Sequence, residues 1–109
     1  MIQIQFHNYP DSRMELRVSG HAGAAPKGED LICAAVSILV YTAAGALQEA
    51  WLRGNLHAQP EILLREGFAR ICVRPRAGHR GAVRQIFSVV RCGMQTLAGS
   101  FPEHVSVKS

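Results

Sequence analysis

Cysteine is scarce in this chain and unpaired: Cys33, Cys72 and Cys92 are an odd number with no CxxC spacing. That excludes a disulfide framework and a zinc ribbon, and it fits a reducing compartment such as the cytoplasm. Long apolar runs are missing as well. The longest, Leu31 to Leu47, is interrupted by Ser37, Tyr41, Thr42 and Gly45. It falls short of the roughly 20 residues a membrane span needs, so no membrane association is expected. No basic stretch followed by an apolar core opens the chain, so no secretory signal is expected either. What is present, 48% apolar and 18% charged residues over 109 positions, is the composition of one soluble globular domain spanning residues 1–109.

Acidic residues are nearly absent from one part of the chain. Between Arg65 and Arg91 there are seven arginines and one acid, Glu66, whereas residues 1–60 carry four basic and five acidic residues. This asymmetry admits a ribosome- or RNA-associated binding module built on residues 65–91. No run of stacking aromatics interleaves with the arginines, as single-stranded nucleic-acid binders require, so a solvated basic surface is the simpler expectation and nucleic acid is not the expected partner.

Residues 1–7 alternate, with Ile2, Ile4 and Phe6 on one face and Gln3, Gln5 and His7 on the other, and residues 13–19 alternate again around Met14, Leu16 and Val18. With the turn cluster at Asn8–Ser12 between them, they predict a hairpin. Gly20 to Gly28 reads as a loop. Asp30 is placed to cap a helix running to Arg53 or Gly54. Apolar residues occur on all sides of that helix, Leu31, Ile38 and Trp51 included, which predicts burial on more than one side and hence a homodimer through the 30–53 helix.

A second hairpin is predicted at Glu61–Arg65 and Phe68–Arg74. A second helix follows from His79 to Ala98, ended by Gly99 and Pro102, and then a last strand at His104–Val107. The order ββαββαβ implies an α+β fold. It is a two-layer α/β sandwich with a mostly antiparallel sheet, two helices on one face, and an outer face of Gln3, Gln5, Arg13, Glu15 and Arg17 meeting water.

Counting from the Asp30 cap, Cys33 falls at the third helical position. There the positive end of the helix dipole favours thiolate, the nucleophilic form. His21, at the end of the second strand, is the histidine nearest in sequence to serve as its base. Backbone N–H groups at the helix start, around Leu31 and Ile32, are candidate oxyanion donors. Asp30 can orient His21 as well as cap the helix, and Ser37 lies one turn beyond Cys33 on the same face. Such an arrangement suggests a cysteine hydrolase. On spacing alone a buried structural cysteine is the better reading, and His21, Asp30 and Cys33 as zinc ligands lack a fourth partner, so no metal or other cofactor is expected.

Gly20-His21-Ala22, followed by Gly28-Glu29-Asp30-Leu31-Ile32-Cys33-Ala34-Ala35-Val36-Ser37, resembles the signature of the ribosomal-processing cysteine proteases in order and spacing. The similarity extends over essentially the whole chain, to Gly93-Met94 and Phe101-Pro102. It implies a bacterial, homodimeric thiol protease that removes the N-terminal extension of ribosomal protein L27 and so supports ribosome biogenesis. It also implies catalytic His21 and Cys33, with Asp30 and Ser37 in support. One departure is Ala24-Ala25, where many relatives carry an aromatic residue; the resemblance therefore implies no aromatic substrate contact from this loop.

Overall fold

The computed structural model describes residues 1–21 and 30–108. Its elements are β1 (Ile2–Asn8), β2 (Met14–Ser19), α1 (Leu31–Leu52), β3 (Glu61–Arg65), β4 (Phe68–Val73), α2 (Arg80–Ser100) and β5 (Val105–Lys108). The strands form one five-stranded sheet in the order β3-β4-β2-β1-β5, antiparallel throughout except for the parallel pair β1–β5. The predicted element order and sheet type are both present. From residue 22 onward, the expected Gly20–Gly28 loop and its Ala24-Ala25 departure lie outside the described residues.

Strand alternation decides which face is covered. Ile2, Ile4, Phe6, Leu16, Val18 and Ile71 point to one side and are buried under the helices. Full burial of each such side chain stabilises the fold by about 1.5–3 kcal/mol. On α1 the buried row is Ile32, Val36, Val40, Ala43, Leu47 and Ala50. On α2 it is Val83, Phe87, Val90 and Met94. Leu39 of α1 lies against Gly93 of α2, which brings the two helices close.

A single chain covers α1 on one side only, and the other side is the one expected to meet a second copy. Leu31, Ile38, Tyr41 and Leu52 are 83%, 61%, 58% and 81% exposed. By length and composition alone α1 is apolar enough to cross a membrane, but its buried row packs into the core of this domain. α2 also differs from expectation: it runs through Gly99 to Ser100, and the Phe101 N–H closes it on the Leu97 carbonyl. Pro102 lacks the N–H needed to extend it.

The outer sheet face departs from expectation at Glu15. Gln3, Gln5 and Arg17 are exposed, but Glu15 is only 4% exposed. Arg70 reaches over from β4 and donates from Nε to Glu15 Oε2 at 2.6 Å, and the Tyr9 hydroxyl donates to Oε1 at 3.2 Å. The Glu15 hydrogen bond holds the Arg70 guanidinium above its ordinary range. Cys72, directly across the strand pair from Glu15, is buried beside it. Arg70→Met is therefore expected to destabilise the fold by about 1–3 kcal/mol, because it leaves a covered carboxylate short of its main partner. Glu15→Met/Arg70→Met should recover much of that loss. Urea unfolding midpoints check both, and an unchanged midpoint in the single variant would refute the argument.

Candidate active site

β2 ends at Ser19, and Gly20 and His21 continue from it toward the β3–β4 turn. The Gly20 N–H donates to the Gly67 carbonyl at 2.9 Å, which ties the start of the His21 segment to that turn. Gly67 has φ +73°, and a Cβ built on it would lie 3.0 Å from His21 Nε2. The positive φ favours glycine here, and a methyl group in its place would press on the imidazole.

Cys33 arrives from the other side, in the first turn of α1. Asp30 caps this helix as expected: its Oδ1 accepts from the Ile32 N–H at 2.9 Å and the Cys33 N–H at 3.3 Å. Its second oxygen, Oδ2, accepts from Cys33 Sγ at 3.5 Å. One carboxylate therefore divides its two oxygens between capping the helix and holding the sulfur. Capping occupies two backbone donors near the expected oxyanion position, leaving Leu31 N–H as the one outside the cap.

His21, Asp30, Cys33 and Ser37 all line one cleft of about 710 Å³. Its wall on the α1 side is Val36, Val40 and Tyr41; its opposite wall is the β3–β4 hairpin with Leu64 and Phe68; its floor is Val18 and Ala69 on the sheet. The cleft exists because the inward face of β3, Ile62 and Leu64, extends beyond the cover of α1, leaving Leu64 42% exposed. Arg65 and Glu66 add one charge of each sign at the hairpin end. The four candidate residues expected from the sequence are thus brought together.

The sequence reading did not find the hairpin wall of Leu64, Gly67 and Phe68. Its only signal was the Leu63-Leu64 pair, too apolar for an edge strand facing water. The other two cysteines stand apart from the cleft. Cys92 is exposed on α2, and Cys72 is buried, which pushes its thiol up. Among the described residues, no group of His, Cys, Asp or Glu is arranged to hold a metal ion.

A sulfur at a helix start and an imidazole lining the same cleft of an α+β sandwich fit the class of thiol-dependent peptide hydrolases. The comparisons with known proteins agree. The family profile described as cysteine protease Prp matches residues 1–106. The chain is 36% identical over 95 residues to the ribosomal processing cysteine protease Prp of Mycoplasma pneumoniae, covering 87% of this chain and 86% of that one.

Among solved structures, it superposes on the essential ribosomal processing protease Prp from Staphylococcus aureus in complex with a covalently linked product peptide. That match has TM-score 0.75 and 19% identity over 99% of this chain and 98% of the other. It also superposes on SMU.848 from Streptococcus mutans, with TM-score 0.67 and 25% identity over 99% and 92%. The chain belongs to the Prp family of cysteine proteases, the ribosomal processing family, and is a cysteine protease.

Proposed function

We propose that this protease cleaves the N-terminal extension from ribosomal protein L27 through a dyad of His21 and Cys33. The observation that carries this reading is that two residues from separate elements, a strand end and a helix start, line one peptide-sized cleft. His21 takes the proton from Cys33 Sγ, and the sulfur attacks the scissile carbonyl carbon. His21 then returns the proton to the leaving amine, and water hydrolyses the thioester. Asp30 holds the sulfur through Oδ2 and occupies the Ile32 N–H, Ser37 lines the α1 wall one turn further along, and the Leu31 N–H at the helix start serves the developing oxyanion.

The peptide lies extended between α1 and the β3–β4 hairpin, where Tyr41, Leu64 and Phe68 offer apolar contacts. Support for a ribosomal substrate comes from the name of the Mycoplasma relative, and support for peptide binding from the S. aureus complex. Incubating the protein with a synthetic peptide spanning the extension and the first mature residues of the host L27 tests the reading. One cut, mapped by mass spectrometry, supports it; an intact peptide, or a host L27 with no extension, refutes the assignment.

The exposed Leu31, Ile38, Tyr41 and Leu52 carry the second part of the proposal, a homodimer formed through α1 in the bacterial cytoplasm. Polar Thr42, Gln48 and Glu49 share the uncovered side of α1, a mixture that suits a second protein copy better than lipid. The particle should run as a dimer in detergent-free buffer, and Ile38→Glu should convert it to a monomer. Tyr41 belongs both to this face and to the cleft, so the dimer contact borders the site.

A further inference from the structure

The fold breaks up what reads in the sequence as one basic segment. Arg65 lines the cleft, Arg70 is bound to Glu15, and Arg91 lies half-buried with its guanidinium 4.8 Å from the centre of the Phe6 ring. Arg74, Arg76, Arg80 and Arg84 remain exposed, where β4 ends and α2 begins. The β1–β2 turn brings Arg13 to the same end. A second concavity, about 200 Å³, separates that turn from α2 and is lined by Tyr9, Ser12, Arg13, Arg80 and Arg84 among others.

One carboxylate opposes the charge of two of these arginines. Asp11 bridges Arg13 at 2.9 Å and Arg74 at 3.5 Å. No carboxylate is among the described residues lining the concavity, and α2 has no acid in its first turn. Arg80 and Arg84 are one helical turn apart and share a face, a separation comparable to that of successive phosphates along a nucleic-acid strand. The Tyr9 ring also lines the concavity and braces the Arg13 guanidinium, which lies 4.3 Å from its centre. None of the exposed large apolar side chains lies between Arg74 and Arg84 or in the β1–β2 turn, so this end has nothing to insert into a bilayer.

Register places this end opposite the candidate active site. The cleft takes the Ser19–Phe68 end of the β2–β4 pair and the arginines take the Met14–Val73 end, about 17 Å along the strands. A chain docked at the arginine end leaves the cleft open.

We propose that the Arg13, Arg74, Arg80 and Arg84 end of the fold is a docking site for the phosphate backbone of RNA, which holds the protease on a ribosomal particle while its cleft takes a peptide. The choice of RNA as the polyanion rests on the proposed ribosomal substrate. Peptide cleavage is measured separately, so failure of either reading is visible by itself.

The test is fluorescence anisotropy of a labelled RNA hairpin with the intact protein, from about 50 to 200 mM salt. The wild-type protein should bind, and affinity should fall steeply as salt rises. Arg80→Gln/Arg84→Gln should bind roughly tenfold more weakly at low salt and lower the slope of log affinity against log salt by roughly 1.5. Arg53→Gln/Lys108→Gln removes the same charge elsewhere and should stay within about twofold of wild type. Both variants should cleave a short peptide at the wild-type rate and melt at the wild-type temperature. Absence of RNA binding at low salt, an equal loss in the Arg53/Lys108 control, or binding only to vesicles of anionic lipid would overturn the proposal.

Discussion

Cys33→Ser is expected to reduce cleavage of an L27-derived peptide by roughly a thousandfold or more while leaving the thermal midpoint near its wild-type value. The hydroxyl occupies the place of the thiol and still donates to Asp30 Oδ2, so the cap and first turn of α1 persist. It lacks the intrinsic nucleophilicity of sulfur toward a carbonyl. His21→Ala should cost a similar factor, and the double variant should be little worse than Cys33→Ser, because two groups serving one proton transfer are not additive. Alkylation followed by peptide mapping supplies an independent readout. In the folded protein the reagent should reach half-buried Cys33 and exposed Cys92, whereas Cys72, 1% exposed and with its thiol pushed up by burial, should react only after unfolding. Full activity in Cys33→Ser would dispose of the dyad.

Gly20→Ala should be the most damaging glycine-to-alanine change among the described residues. Gly20 has φ +94°, and a Cβ there would run into the carbonyl of Met1, the residue that leads into β1. The left-handed conformation costs an L-residue about 1–2 kcal/mol, and the clash adds about 1–3 kcal/mol. A total of about 2–5 kcal/mol corresponds to a drop of roughly 10–20 °C or more in a domain of this size.

The same shift would move His21, the next residue, off its seat against Gly67, so activity below the melting temperature should fall as well. Calorimetry and peptide cleavage at about 15 °C separate the two effects. A variant that melts like wild type would show that the Met1 carbonyl yields easily. One that melts low but cleaves normally would show that His21 does not depend on this anchor.

Much of this was legible in the chain, because strands and helices announce themselves through local periodicity. Ile2, Ile4 and Phe6 reveal the buried face of β1 without reference to any other element, and Asp30 three residues before Cys33 marks a helix start. Where the reading failed, a distant residue had intervened. Glu15 belongs to an outward-facing row and would meet water, but Arg70, 55 positions away, covers it. Gly99 would end a helix by its own preference, but α2 continues past it and closes on Leu97. The Ile32 N–H is a free donor in any uncapped helix start, and the same Asp30 that defines the start consumes it.

The sequence by itself determined the elements, the α+β architecture, and the pairing of a histidine before a loop with a cysteine at a helix start. All of these depend on neighbours within a few turns or on a contiguous motif. Only the tertiary structure decided that the β3–β4 hairpin faces α1 across a cleft, that Gly67 seats His21, and that Tyr9 joins Arg80 and Arg84. Those placements depend on which strands pair and how far a helix covers a sheet, and burial of the whole core sets both, with no local signal to announce them.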